Sequence, residues 1–185
     1  MLELKNVDKK FGKQLCIKNI NLCFDFPGLY LFHGSNGSGK STVLKVMSQV
    51  IYKSSGDYEA QEVISYLPDK FLLPKLMRVK SYVKSIFRLY RVADNPLEVL
   101  EKYQIPNKRI KELSKGNLQK LGILQVFSIP AKIYILDEPI DGLDDFAKKL
   151  FKEAITQVIH RGGIVIMSLH NRGLSLIHIS EPTRH

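Results

Sequence analysis

Residues 34–42 read Gly34-Ser35-Asn36-Gly37-Ser38-Gly39-Lys40-Ser41-Thr42. The string fits G-x-x-x-x-G-K-[ST], with Gly34, Gly39, Lys40 and Ser41 at the fixed positions. Just before it, Gly28 to His33 (Gly-Leu-Tyr-Leu-Phe-His) reads as a buried strand entering a loop. Just after it, Thr42 to Val50 reads as a helix with Val43, Leu44, Val46 and Met47 on its apolar side. In that setting the glycines let backbone N–H groups turn inward and form a nest for anionic oxygens. The helix N-terminus adds partial positive charge. The expected ligand is a nucleoside triphosphate held by Ser35, Asn36, Gly37, Ser38, Gly39, Lys40, Ser41 and Thr42. Lys40 is expected at the β/γ-phosphates and the Ser41 hydroxyl on Mg²⁺.

Composition narrows the class. The chain has 185 residues, a length for one domain, and 44% hydrophobic residues, enough for a core. It holds no apolar run near ~20 residues, so a membrane span is not expected. Cys16 and Cys23 alternate with apolar neighbours and read as buried free thiols in a cytosolic protein. The 28 basic and 18 acidic residues give a net charge of +10, which suits a polyanionic partner: nucleotide, nucleic acid or an anionic lipid surface.

Along the chain, Leu2 to Val7 alternates as a strand, Asp8 to Lys13 reads as a polar turn holding Phe11, and Leu15 to Phe26 as one or two strands. Ser54-Ser55-Gly56-Asp57 reads as a turn, and Val63 to Leu67 as a short strand stopped by Pro68. From Lys70 to about Pro130 the pattern is helical, broken at Pro74, Asn95-Pro96 and Pro106. Ile133 to Leu136 is a buried strand, Phe146 to His160 an amphipathic helix, and Ile164 to Leu169 a final strand. Strands alternating with helices predict an α/β fold around a mainly parallel sheet, with the helical middle inserted into it.

A second constellation lies at Ile133-Tyr134-Ile135-Leu136-Asp137-Glu138, an apolar strand ending in two carboxylates. Strand C-termini face the ligand crevice in such sheets. Asp137 is therefore a candidate for Mg²⁺, and Glu138 for orienting or deprotonating the attacking water. Upstream stands Leu113-Ser114-Lys115-Gly116-Asn117-Leu118-Gln119. Here the chain resembles the ATP-binding cassette (ABC) ATPases of membrane transporters, whose signature is L-S-G-G-Q. Leu113, Ser114 and Gly116 match; Lys115 and Asn117 depart. Gln119-Lys120 fits an L-S-K-G variant familiar in bacterial exporter subunits.

The resemblance covers essentially residues 1–173 as one ABC domain, with the helical insertion at about 70–130. It implies a P-loop NTPase fold: a mainly parallel sheet core, an N-terminal antiparallel β part and an inserted helical subdomain. It also assigns positions. Phe11 matches the aromatic that stacks on adenine, with a turn aromatic packed on the sheet as the alternative. His170 matches the switch histidine at the γ-phosphate, and Asp144 the loop that crosses a dimer interface. Asp69 stands where the family has Gln, or Glu in some bacterial subunits; it keeps an oxygen ligand for Mg²⁺ on a shorter stem.

The implied machine is a head-to-tail homo- or heterodimer with ATP between the phosphate loop of one subunit and Ser114 and Gly116 of the other. Transmembrane permease subunits are the implied partners, at the cytoplasmic face of a bacterial membrane, and export is the direction read from the signature variant. Lys80, Lys84, Arg88 and Arg91 fall on one helical face and suit either anionic headgroups or solvent. The competing reading is a soluble ABC ATPase acting on the ribosome or nucleic acid, which the basic charge would suit. Relatives of that kind carry a second cassette or long coiled coils; neither is in this sequence, and a truncated end leaves room for a second cassette. A nucleotide-binding module without turnover is disfavoured by Glu138.

Leu174 to Arg184 (Leu-Ser-Leu-Ile-His-Ile-Ser-Glu-Pro-Thr-Arg) reads as the translation of a transposase-type sequencing adaptor. Residues 174–185 are accordingly expected to be non-native, with the natural chain continuing beyond about Gly173.

Overall fold

The computed structural model describes residues 1–70 and 72–169. His170 and the adaptor-like tail lie outside those residues.

Two sheets enclose one helix. Strands β1 (Leu2–Phe11), β2 (Gln14–Phe24) and β4 (Ser55–Ala60) form an antiparallel sheet in the order β2-β1-β4. Strands β3 (Gly28–Phe32), β5 (Ile64–Leu67), β6 (Ile133–Asp137) and β7 (Ile164–Ser168) form a parallel sheet in the order β3-β7-β6-β5. Helix α1 (Lys40–Met47) lies between the sheets. Its Val43, Leu44, Val46 and Met47 meet Leu2, Leu4, Val7, Ile17 and Phe24 on one side and Ile133, Ile135, Ile164 and Ile166 on the other. Each fully buried aliphatic side chain of this kind contributes about 1.5–3 kcal/mol.

Alternate residues of the same strands, Tyr134, Leu136, Val165 and Met167, point to the opposite face. There they pack on α4 (Lys115–Ser128) and α5 (Asp145–His160) through Ile123, Val126, Ala147, Phe151 and Ile155. A third cluster joins α2 (Val79–Tyr90) and α3 (Pro96–Lys102) to Leu121 and Leu124 of α4. Helix α4 thus serves two cores at once. This explains why its apolar residues run around the helix rather than along one stripe.

Several local expectations are corrected. The polar run Asp8–Phe11 continues β1, and only Gly12 and Lys13 turn the chain. Ser55-Gly56-Asp57 is strand, not turn. Gly56 has φ 83°, and a Cβ there would lie 2.4 Å from the Asn6 carbonyl oxygen, so glycine is what allows β4 to approach the irregular stretch of β1. Asn95-Pro96 starts a helix instead of breaking one: the Asn95 side chain accepts from Leu97 N at 3.0 Å, and Pro96 takes the first turn. Cys16 and Cys23 are exposed, not buried. Their neighbours Ile17 and Phe24 face the core, and the two-residue period turns the cysteines outward on edge strand β2.

On α2, Val79, Val83 and Phe87 face inward while Lys80, Lys84, Arg88 and the following Arg91 are exposed, with Leu89 beside them 69% exposed. Among the described residues no helix is long and apolar enough to cross a membrane.

Candidate functional site

All four parallel strands run the same way, so the segments that follow them share one edge of the sheet. The phosphate loop follows β3, Asp69 follows β5, and Asp137 and Glu138 close β6. Residues distant in sequence are thereby gathered at the sheet edge where α/β folds bind ligands.

Gly39 caps α1 at φ 92°, a left-handed conformation that favours glycine. A Cβ there would also lie 3.0 Å from the Ile17 side chain. The Lys40 ammonium curls over the loop and donates to the Gly34 and Ser35 carbonyls at 2.6 and 2.9 Å. These are bonds that phosphate oxygens could replace, with a stronger charge-assisted partner. Ser41 Oγ donates to Asp137 Oδ1 at 3.1 Å, joining α1 to the end of β6. Asp137 is 1% exposed.

Glu138 follows with φ 50°, an uncommon conformation for a side chain of its size. Its backbone N–H donates to Ser168 Oγ at 3.0 Å, and Ser168 Oγ donates to Asp137 Oδ1 at 2.6 Å. Ser168 was not among the residues singled out from the sequence. The available signal was one hydroxyl closing an otherwise apolar strand next to the acidic one.

Tyr66 on β5 is a second addition. Its hydroxyl is buried without a hydrogen-bond partner among the described residues. Burial first, then the Asp137 and Asp69 charges, push its pKa up, so it stays a neutral donor.

The hard-oxygen donors Ser41 and Asp137, already in contact, fit Mg²⁺, which takes few protein ligands and completes its shell with water and substrate phosphates. Among the described residues no group of three His, Cys, Asp or Glu forms a metal cage.

Ser114 and Gly116 do not join this group. Ser114 caps α4, its Oγ accepting from Asn117 N at 3.2 Å, and Gly116 sits in the first turn. The start of α4 is instead fastened to the loop after Glu138. Gln119 Nε2 donates to the Pro139 carbonyl at 2.9 Å. Lys115 pairs with Asp141 at 2.7 Å and Lys120 with Asp144 at 2.8 Å. The Asp141 carboxylate accepting from Lys115 holds the ammonium pKa above its ordinary value. Phe11, at the end of β1, is 48% exposed, with the Lys9 ammonium 4.9 Å from its ring centroid.

The Lys120–Asp144 pair is asymmetric: the lysine side chain is 6% exposed and the aspartate 58%. Asp144 also caps α5, accepting from Ala147 N at 2.7 Å. Asp144→Ala is expected to cost about 1–3 kcal/mol, by losing the cap and stranding a buried ammonium. The Lys120 hydrogen bond, then the Ala147 amide, hold the Asp144 pKa below its usual value. The contribution of this depressed carboxyl is complete above its unfolded pKa of about 3.9 and is lost as pH falls through the lower folded value. Thermal melts should therefore show parent and variant well separated at pH 7 and converging below about pH 4. A separation independent of pH would contradict the assignment.

A sequence profile of the family described as "ABC transporter" matches residues 17–141. The chain belongs to the ABC transporter family. Among its ABC relatives is the "Cytochrome c biogenesis ATP-binding export protein CcmA" of Reclinomonas americana, 29% identical over 91% of this chain and 84% of the relative. The "Zinc import ATP-binding protein ZnuC" of Ehrlichia ruminantium is 29% identical over 92% of this chain and 74% of the relative. A solved Pyrococcus furiosus chain assigned as an ABC transporter ATP-binding protein shares 26% identity, a TM-score of 0.75 and 92% coverage of both chains. The dimeric ATP-binding cassette MJ0796 bound to ADP and Pi has the same fold at 21% identity, with a TM-score of 0.81 and coverage of 95% and 90%. The P-loop ABC ATPase fold, with its parallel core and antiparallel flank, is the fold of this chain.

Proposed function

We propose that this ABC protein hydrolyses ATP with Mg²⁺ as a dimeric motor subunit of a membrane transporter of the export type, at the cytoplasmic face of the membrane. The observation that carries the proposal is the junction of phosphate loop and acidic strand: Ser41 on Asp137 at 3.1 Å, with Glu138 held next to it. Relatives are named for export and for import, and the same cassette chemistry serves both.

In this reading the loop amides from Ser35 to Gly39 bind the β- and γ-phosphates, and Thr42 extends the cradle toward the nucleotide. Lys40 exchanges the Gly34 and Ser35 carbonyls for phosphate oxygens. Phe11 offers an exposed ring to adenine, backed by the Lys9 cation. Ser41 and Asp137 would hold Mg²⁺, with Asp69 after the neighbouring strand as a further oxygen donor, and the cation would neutralise phosphate charge. Glu138 orients a water and takes its proton as that water's oxygen bonds to the γ-phosphorus and the bond to ADP breaks. His170, placed after β7 by the sequence, contacts the γ-phosphate.

Ser114 and Gly116 cap that phosphate from a second copy. Dimeric cassettes of this fold supply the precedent, and the attachment of α4 to the 139–144 loop gives the two halves a mechanical link. Phosphate release from ATP by the purified chain, parent against Glu138→Gln, tests the proposal; equal rates would overturn it.

The permease is the main partner, and anionic lipid is proposed as a further contact for the exposed Lys80, Lys84, Arg88 and Arg91 face. Near a charged surface each such residue contributes about 1 kcal/mol. Reversing Lys84 and Arg88 to Glu should reduce binding to phosphatidylserine vesicles by at least about tenfold at low salt. Unchanged co-sedimentation would remove the lipid contact while leaving the ATPase assignment intact.

A further inference from the structure

Ser168 ends β7 and is 0% exposed in a strand whose other residues, Ile164 to Met167, are apolar. It lies in register with Asp137 on the adjacent parallel strand. Its hydroxyl donates to Asp137 Oδ1 at 2.6 Å and accepts the Glu138 N–H at 3.0 Å. One buried oxygen therefore ties the carboxylate of one residue to the backbone of the next.

Both residues need such a tie. Glu138 stands at φ 50°, a conformation costly for a non-glycine residue and kept only where surrounding bonds impose it. The direction of its side chain follows from that backbone turn. Asp137 receives Ser41 and Ser168 on the same oxygen, which fixes the plane of its carboxylate. Removing Ser168 Oγ would release the Glu138 amide and one of the two hydroxyls on Asp137.

We propose that Ser168 is a positioning residue for ATP hydrolysis: its hydroxyl sets the backbone turn that aims Glu138 and the carboxylate orientation with which Asp137 meets the cation. The inference rests on the hydrolytic reading above and adds a residue to it. It makes Ser168 act through Glu138 and Asp137, without touching ATP.

The test uses the full chain as Ser168→Ala, with Ser168→Thr restoring a hydroxyl on a side chain suited to strands. Ser168→Ala should lower kcat about 10–100-fold while KM for ATP stays within about threefold, the signature of an interaction that acts in the chemical step. The Mg²⁺ concentration for half-maximal activity should rise at least about threefold, since the carboxylate is less well placed for the cation. Binding of a fluorescent ATP analogue in EDTA should match the parent. Ser168→Thr should recover kcat to within about fivefold of the parent, since the hydroxyl carries the effect.

Parental kcat and Mg²⁺ midpoint in Ser168→Ala would overturn the proposal. So would parallel losses of kcat, KM and binding in EDTA, which would mark a general structural role. A parent that does not hydrolyse ATP would overturn the hydrolytic reading and Ser168 with it. An active parent with an unaffected Ser168→Ala overturns Ser168 alone.

Discussion

Glu138→Gln is expected to lower ATP turnover by at least about 10²-fold, an increase of about 2.7 kcal/mol in the barrier. The amide keeps the size of the side chain and the Ser168 bond to its backbone N–H, but it cannot accept the proton that leaves the attacking water. Binding is a different matter. The phosphate contacts proposed above come from the 34–42 loop and Lys40, none of which the substitution touches. Affinity for ATP should stay within about threefold of the parent, because only the chemical step is altered. The variant should also accumulate as an ATP-bound dimer on size exclusion, since in the proposed cycle hydrolysis reopens the closed state. Equal turnover in parent and variant would assign the base elsewhere.

Much of this architecture was legible because its signals are local. The glycines and Lys40 of the phosphate loop, the apolar side of α1, and the all-buried β6 and β7 each declare themselves within a few residues. Parallel strands then bring their C-terminal ends together, so Lys40, Asp69, Asp137 and Glu138 were gathered by topology once the strands were found. What escaped depends on neighbours remote in sequence. Gly56 looks like a turn until Asn6 is seen against it, and Cys16 looks buried until Ile17 fixes which way β2 faces. Ser168 acquires meaning only when Asp137 is its register partner. Lys120 follows the same rule: a basic residue beside the signature becomes a buried cation only when Asp144 arrives from the following loop.

In the proposed dimer one subunit's site is completed by another. In this chain Ser114 caps α4, a helix fastened to the 139–144 loop through Lys115 on Asp141 and Gln119 on Pro139, while Ser41 and Lys40 lie with the phosphate loop. Two substitutions can therefore disable opposite halves. Lys40→Ala removes the cation proposed for the β/γ-phosphates and should weaken ATP binding about 10–100-fold. Ser114→Glu places a negative charge where the γ-phosphate of the facing subunit would sit. Its carboxylate near the N-terminus of α4 remains compatible with the helix dipole, so the fold is retained. Each variant alone should turn over ATP at less than about 1% of the parent rate, because every site in its homodimer carries the defect. Mixed in equal amounts, they form dimers in which Lys40→Ala lends an intact Ser114 to the intact phosphate loop of its partner.

Phosphate release from that mixture reports directly on a site shared between two subunits. Random pairing makes half the dimers mixed, each with one sound site of two, so recovery to about a quarter of the parent rate is expected. A mixture no more active than its separate components, with dimers of both variants present, would contradict a site shared between two copies of this chain.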